Sequence, residues 1–232
     1  MEAPVIEQQA RRKAESVEEI LDRIGAARRA LGDKVLLLVH HYQRDEIFRF
    51  ADYTGDSFKL AQDAAREKER PFIVFCGVHF MAESADILTS DAQAVILPDL
   101  GAGCSMADMA DIDQVLDCWD ELGESRERTV PICYMNSSAA IKAFCGERGG
   151  IVCTSSNAES VFRWAFERGD RILFVPDEHL GRNTAHRLGI SDAEMVVWNP
   201  DLALGGADRA RVDRARLVLW KGFCSVHMHF LP

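Results

Sequence analysis

Residues 72–90 read FIVFCGVHFMAESADILTS, and this stretch shows the unit from which the chain is built. A strand-length apolar run, Phe72–Cys76, is followed by a glycine and then by a segment with helical spacing, Met81–Ser90. A continuous apolar strand followed by an amphipathic helix is typical of a parallel sheet that is buried on both faces. The stretch therefore predicts one α/β unit.

The same unit recurs along the chain from Lys34 onward. Further apolar runs predict strands at Val35–Val39, Ala94–Leu97, Val130–Tyr134, Gly150–Cys153, Ile172–Val175, Met195–Trp198 and Leu217–Trp220. Segments between them predict helices at Asp45–Arg66, Ile112–Leu122, Ser138–Phe144, Ala158–Arg168 and His179–Leu188. Because strands alternate with helices throughout, the sequence predicts an α/β fold with parallel sheets.

The apolar runs fall into two sets with the same order of features. The first set begins with VLLLVHHY at residue 35 and closes with GAGC at Cys104, whereas the second begins with VPICYMNSS at residue 130 and closes with KGFC at Cys224. This predicts an internal duplication, with one α/β domain at residues 34–124 and another at 125–232. Before them, residues 1–33 predict an amphipathic helical segment that ends near Gly32.

Composition and charge exclude several classes of protein. The 232 residues are 47% hydrophobic and 28% charged, which is typical of a folded globular chain. A net charge of −10 without a basic patch argues against a nucleic-acid partner and against an anionic membrane surface. No apolar run approaches the ~20 residues of a membrane span, and the N-terminus lacks the apolar core of a signal peptide. We expect a cytoplasmic protein.

The cysteines fall into two groups. Their number, seven, is odd and no export signal is present, so we expect free thiols and no disulfide framework. One group is predicted to be structural: Cys76, Cys133 and Cys153 lie within apolar strands, Cys118 lies on the amphipathic segment Ile112–Leu122, and Cys145 lies near a helix end. Cys104 and Cys224 each follow a strand end and a glycine, which lets the backbone approach a cofactor closely. At equivalent positions of two repeats, these two thiols could converge on one soft metal centre.

Polar side chains also follow the strand ends. His40 and Tyr42 lie two residues apart after the first strand, and Tyr134 and Asn136 have the same spacing in the second set. Ligands of parallel α/β proteins bind at the carboxyl ends of the strands, where helix N-termini favour anions. The segment TSSNA at residues 154–158 could cap a helix or bind an anion. No GxGxxG, P-loop or HExxH motif occurs, so dinucleotide, nucleoside triphosphate and zinc-protease sites lack their motifs.

A series of segments taken together resembles the quinolinate synthase family, the iron–sulfur enzymes of de novo NAD biosynthesis. These segments are VHHYQRDEI, ADYTGDSFKLA, FCGVHFMAESADIL, LPDLGAGCSMADM, CYMNSSAAIKA, CTSSNA, PDEHLGRN and WKGFCSVH. They follow one another from about residue 35 to residue 229, so the resemblance covers nearly all of the chain after the N-terminal helix.

The resemblance implies a fold and an activity. Enzymes of this family condense iminoaspartate with dihydroxyacetone phosphate to form quinolinate, with loss of phosphate and water. Their fold consists of three α/β/α domains around a pseudo-threefold axis, and this chain would contain two of them. Each domain would give one cysteine to a [4Fe–4S] cluster whose open iron acts as a Lewis acid. L-Aspartate oxidase, which makes iminoaspartate, is the candidate partner that the resemblance implies.

The resemblance also assigns roles to individual residues through the matching motifs. Cys104 and Cys224 would be ligands of the cluster. The catalytic residues would be His40, Tyr42 and Tyr134. The residues that bind substrate would be His40, Ser57, Tyr134, Met135, Asn136 and Ser155.

Two features of the family do not occur in this sequence. The third cysteine ligand and the His-Pro-Glu motif are absent, and the sequence ends at Pro232, shortly after Cys224. We therefore expect a truncated chain, or one part of a split enzyme that another polypeptide completes, with little activity alone. Two alternatives stay open. One is a non-catalytic module that binds a dicarboxylate or a phosphate ester, and the other is a zinc site on Cys104, Cys224, His227 and one more group.

Overall fold

The computed structural model describes residues 15–229, without the side chain of His227. The first element is helix α1, Val17–Leu31, which begins at a capping box formed by Ser16 and Glu19. The N-terminal helix is thus present over this range, and the part predicted before residue 15 lies outside the described residues. Within residues 15–229, no helix has the length and apolar character needed to cross a membrane.

Two parallel sheets follow helix α1. The first sheet has the strand order β2-β1-β3-β4 and the second has the order β6-β5-β7-β9-β8. Strands of the first sheet are β1 Val35–His40, β2 Tyr53–Gly55, β3 Phe72–Cys76 and β4 Ala94–Ile96. Strands of the second sheet are β5 Thr129–Tyr134, β6 Ile151–Cys153, β7 Arg171–Val175, β8 Met195–Trp198 and β9 Leu217–Trp220. Every pair is parallel, as the apolar runs predicted.

Helices connect the strands in both sheets. After α1 they are α2 Asp45–Phe48, α3 Ser57–Arg66, α4 His79–Leu88, α5 Ile112–Glu121, α6 Ala139–Glu147, α7 Ala158–Phe166, α8 Glu178–Arg187 and α9 Arg209–Arg214. Short 3-10 turns lie at Gly32–Lys34, Ala107–Met109, Gly123–Arg128, Asp192–Glu194, Ala203–Gly206 and His227–His229. The class is α/β, as predicted.

One predicted helix, Asp45–Arg66, is wrong as a single element. The structure divides it into α2, the edge strand β2 and α3. Asp52 causes the break, because its carboxylate accepts a hydrogen bond of 2.7 Å from the Leu37 N–H and pairs with Arg28. The chain is thereby held alongside β1, and Asp56 then caps α3 by accepting a hydrogen bond from the Lys59 N–H. Helix α9 was not predicted either.

The strand order bears directly on the duplication. In both sheets the first strand lies between the second and the third, since the orders β2-β1-β3 and β6-β5-β7 correspond. The next strand along each sheet is β4 in one case and β9 in the other. Cys104 follows β4 and Cys224 follows β9, so the two thiols occupy equivalent positions in the two sheets. Strand β8 is an additional strand at the edge of the second sheet.

The core of the second sheet includes a helix from the predicted first domain. Val115, Cys118 and Leu122, on or directly after helix α5, pack into the same cluster as buried residues of β7 and β9 such as Leu173 and Val218. Side-chain packing therefore groups α5 with the second sheet, whereas the predicted domain at residues 34–124 includes it. The buried state of Cys118 agrees with a structural role for that thiol.

The two domains meet through helices α4 and α6. Glu83 accepts a hydrogen bond of 3.1 Å from the Ala139 N–H at the start of α6. The Lys142 ammonium donates a hydrogen bond of 2.6 Å to the Ser84 hydroxyl and lies 5.3 Å from the Phe80 ring centroid. Burial lowers the pKa of Lys142 to about 8. These contacts set how the carboxyl edges of the two sheets face each other.

Candidate functional site

A cleft of about 520 Å³ lies at the carboxyl ends of the strands and is shared by both domains. Its lining consists of residues from strand ends and helix starts. They are His40, His41, Tyr42, Asp56, Ser57, Val78, Phe80, Met81, Gly103, Cys104, Ser105, Tyr134, Asn136, Ser155, Cys224, Ser225 and Val226. The cleft is large enough for a small-molecule substrate, which fits the range of such sites.

The first domain contributes His40, Tyr42 and Ser57 to the cleft. His40 is the last residue of β1 and is 5% exposed, whereas Tyr42 is 52% exposed. Their ring centroids lie 4.0 Å apart, and the Tyr42 N–H lies 3.4 Å from Nδ1 of His40. Ser57 is buried at the start of α3, directly after its cap Asp56. An imidazole, a phenol and a hydroxyl thus line one wall.

Burial lowers the pKa of His40 to about 4, and the neighbouring His41 acts in the same direction. The carboxylate of Asp56 acts in the opposite direction, with a smaller effect. Near neutral pH, His40 is therefore a neutral imidazole, which can accept a proton at one nitrogen and donate a hydrogen bond from the other.

This lowered pKa predicts a pH dependence of stability. Between pH 6.5 and about 4 the unfolded chain binds a proton at His40 that the folded chain does not, so stability falls as the pH falls through that window. Urea unfolding at pH 7 and at pH 5 measures this fall in the free energy of unfolding. We expect the fall to be about 2 kcal/mol smaller in His40→Gln than in the wild type.

The matched control is His179→Gln, because His179 is an exposed histidine outside the cleft. That variant should lose stability with falling pH as the wild type does. An equal loss in His40→Gln and in the wild type would contradict the prediction.

The second domain contributes Tyr134, Asn136 and Ser155 to the lining of the same cleft. Burial raises the pKa of Tyr134 to about 12, and the nearby carboxylate of Asp177 acts in the same direction. Burial likewise raises the pKa of Tyr42 to about 12, with a further contribution from Cys104 beside it. Both phenols therefore keep their protons at neutral pH and can donate hydrogen bonds to substrate oxygens.

Among the predicted site residues whose side chains the structure describes, Met135 is the one that does not line the cleft. Its side chain is 5% exposed and packs into the core of the first domain, together with residues such as Phe75 and Phe80. Side chains alternate along an extended segment, so Tyr134 and Asn136 share one face while Met135 points to the other. Its role in binding substrate stays a prediction, and its packing joins the second domain to the first.

Cys104 and Cys224 are both partly exposed and both line the cleft. Thiolates are the ligands that iron–sulfur centres and other soft metals prefer, so the donor type fits a cluster. The number of donors is incomplete, because no group of three or more His, Cys, Asp or Glu side chains among the described residues is arranged to hold a metal ion. The described part of the chain therefore brings two candidate thiol ligands to the cleft.

Several lining residues were not predicted from the sequence. Asp56 lies beside Ser57 and could have been found from its place before helix α3, where a cap is expected. Phe80 and Met81 form an apolar part of the lining, and their helical spacing indicated only a core position. Ser105 and Ser225 follow the two cysteines and repeat the same Cys-Ser pair in each domain.

The fold and the site together define a class of protein. It is a duplicated parallel α/β protein whose two domains present paired thiols, hydroxyls and an imidazole to a shared cleft. The sequence profile of the family described as quinolinate synthetase A protein (NadA) matches residues 22–232. The chain belongs to the quinolinate synthase family.

Curated relatives of that name have high sequence identity to the chain. It is 61% identical over 214 residues to the quinolinate synthase of Acidobacterium capsulatum, covering 91% of this chain and 57% of the relative. It is 60% identical over 215 residues to that of Streptomyces coelicolor, covering 91% of this chain and 55% of the relative. It is 58% identical over 217 residues to the quinolinate synthase of Corynebacterium glutamicum, covering 93% of this chain and 55% of the relative. The chain thus spans little more than half the length of these relatives.

Proposed function

We propose that the chain is the part of a quinolinate synthase that carries two cluster cysteines and much of the substrate pocket. The whole enzyme would condense iminoaspartate with dihydroxyacetone phosphate to form quinolinate. The observation that supports this proposal best is the shared cleft, because both cysteines and the family's polar motifs from both domains line it. The substrates are proposed from the resemblance to the quinolinate synthase family, to which the chain belongs.

The anionic groups of the substrates would bind to side chains near helix N-termini. Ser57 lies in the first turn of α3, and Ser155 lies just before α7. Backbone N–H groups in a first helical turn have no partner within the helix, so they attract carboxylate or phosphate oxygens together with these hydroxyls. The amide of Asn136 could donate a further hydrogen bond. This arrangement provides anion binding without a basic surface.

Proton transfers would fall to His40, Tyr42 and Tyr134. The neutral imidazole of His40 can accept a proton from substrate, and the protonated phenols can donate hydrogen bonds to oxygens on which negative charge develops. Cys104 and Cys224 would hold the [4Fe–4S] cluster, which supplies Lewis-acid chemistry at an open iron when bound. Of these groups, the imidazole of His40 is the one that burial shields from water, since His40 is 5% exposed and Tyr42 is 52% exposed.

Anaerobic reconstitution with iron and sulfide tests the proposal. We expect iron and acid-labile sulfide to bind together in any form of the protein that contains the remaining ligands, with the visible absorption of an iron–sulfur cluster. Zinc bound without sulfide would support the zinc alternative. A folded form that spans the full length of the relatives yet binds neither iron nor sulfide would contradict the proposal.

Tyr134→Phe should keep the cluster and lower turnover, because it removes one hydroxyl and leaves the packing of the ring unchanged. Loss of one hydrogen bond to developing charge lowers kcat by about 10²–10³. The measurement is quinolinate formation by the cluster-loaded enzyme, with iron content determined in parallel. If Tyr134→Phe loses iron instead, the residue has a structural role.

A second candidate function is anion binding without catalysis. It is favoured by the hydroxyls of Ser57 and Ser155, which lie near helix N-termini in the cleft and can bind an anion without a metal. Isothermal titration with a dicarboxylate and with a phosphate ester would detect such binding in the metal-free chain. Binding in that experiment is compatible with both candidates, and the reconstitution experiment distinguishes them.

The remaining parts of the proposal concern partners and location. L-Aspartate oxidase is proposed as a partner because it produces iminoaspartate. A chain or segment that supplies the third domain is proposed because the relatives are longer than this chain. We propose the cytoplasm as the location, without nucleic-acid or membrane partners.

A further inference from the structure

The two cysteine loops are joined to each other by contacts that lie outside the cleft. The loop after β9 contains Cys224, and the loop after β4 contains Cys104. The indole N–H of Trp220 donates a hydrogen bond of 2.6 Å to the Met109 carbonyl oxygen, across 111 residues of sequence. The Phe223 N–H lies 3.4 Å from Sδ of the same Met109 and donates to it. Met109 is thus contacted by the strand before Cys224 and by the residue adjacent to Cys224.

Each end of this connection is close to a thiol along the chain. The Asp108 N–H donates a hydrogen bond of 3.1 Å to the Cys104 carbonyl oxygen, which starts the turn that leads to Met109. Met106 within that turn is buried, so the turn is anchored in the protein. On the other side, Trp220 is fully buried. The path from one thiol to the other therefore consists of short turns and buried side chains.

We propose that Met109 and Trp220 are positioning residues that set the separation of the Cys104 and Cys224 thiols. The proposed function gives this separation its importance, since a cluster requires its ligands at a fixed spacing. The geometry itself does not depend on the cluster. Neither residue lines the cleft, so each acts through the loops that carry the thiols.

A matched pair of tryptophan variants tests the proposal. Trp198 is paired with Trp220 in the β8–β9 register and is also buried in the same core cluster. Its indole makes no hydrogen bond to any residue in the described range. Trp220→Phe and Trp198→Phe therefore remove the same atoms from adjacent strands, and only the first removes a contact with the Cys104 loop.

The readout is the rate at which a short bis-maleimide joins Cys104 to Cys224 in the metal-free chain, followed by peptide mass spectrometry. We expect the rate in Trp220→Phe to fall about two- to tenfold, the factor of a hydrogen bond of ordinary net strength. Trp198→Phe should cross-link at the wild-type rate. Met109→Leu keeps an apolar side chain and removes the sulfur acceptor, so its rate should fall in the same direction.

Equal rates in Trp220→Phe, Met109→Leu and the wild type would overturn the proposal, as would an equal fall in both tryptophan variants. If Trp220→Phe does not fold, the cross-linking rates of Met109→Leu and Trp198→Phe are compared instead. A rate in Met109→Leu that is no lower than that in Trp198→Phe would then overturn the proposal. Because no metal is present in this experiment, failure to bind a cluster would contradict the proposed function and leave this inference standing. Unchanged cross-linking would contradict only this inference.

Discussion

Alanine in place of Cys104 or Cys224 should abolish assembly of the iron–sulfur cluster. Both thiols line the shared cleft and both are partly exposed, so each is accessible to a metal centre there. An iron–sulfur cluster that loses one of its thiolate ligands loses a coordination bond on which its assembly depends. We expect iron and labile sulfide in both variants to fall to the background of a metal-free control.

The matched control is Cys118→Ala. Cys118 is 1% exposed in the core cluster of the second sheet, and burial raises the pKa of its thiol well above the usual range. That variant should lose about 1 kcal/mol of stability through the lost packing and should keep its metal. Equal loss of iron from all three variants would show that the ligand assignment is wrong.

A second measurement keeps this prediction testable if the wild-type chain assembles no cluster by itself. Cd²⁺ binds thiolates directly, and its thiolate charge-transfer absorption reports how many sulfur atoms contact it. Wild type and Cys118→Ala should give the same absorption, whereas Cys104→Ala and Cys224→Ala should give less. Unchanged absorption in the last two variants would exclude a shared soft-metal site.

Gly222→Ala should both destabilise the protein and separate the two thiols. The backbone at Gly222 passes so close to the turn after β7 that an added Cβ would overlap the carbonyl oxygen of Pro176. On its other side, the Cβ would lie 3.4 Å from Cβ of Met109. The Gly222 carbonyl also accepts a hydrogen bond of 2.8 Å from the Glu178 N–H. The loop that carries Cys224 therefore has to shift as a unit.

We expect this overlap to lower the free energy of unfolding by about 1–3 kcal/mol, as over-packing of a buried site does. Gly146→Ala is the control, because Gly146 lies in helix α6 and an added Cβ there meets no atom within 4 Å. Alanine stabilises a helix interior by about 0.5–1 kcal/mol relative to glycine. Urea unfolding and thiol cross-linking measure the two effects. A Gly222→Ala protein with wild-type stability and cross-linking would contradict the prediction.

The sequence predicted most strands well because their signal is local. A continuous apolar run is a property of a few neighbouring residues, so Phe72–Cys76 and Leu217–Trp220 were placed with the bounds that the structure has. Edge strand β2 was missed because its strand conformation depends on Asp52, which contacts Leu37 and Arg28. Those partners are 15 and 24 residues away, outside any window of local periodicity.

The packing of helix α5 against the second sheet was not predicted, for a related reason. Its amphipathic pattern shows that one face is buried, but the pattern does not say which sheet covers that face. Val115 and Cys118 pack on the second sheet, although the helix follows the first sheet along the chain. The choice depends on complementary packing between distant segments, which no local window contains.

The sequence by itself determined the α/β class and the edge of the sheets at which the candidate site lies. In a parallel sheet all strands end on the same side, so polar residues such as His40 and Tyr134 that follow strands must gather there. The tertiary structure alone decided which of them line a single shared cleft. That arrangement depends on contacts between residues such as Glu83 and Ala139, or Trp220 and Met109, which are 56 and 111 residues apart. Strand and helix propensities act over a few residues, whereas the relative placement of two domains depends on side-chain packing between segments that are distant in sequence.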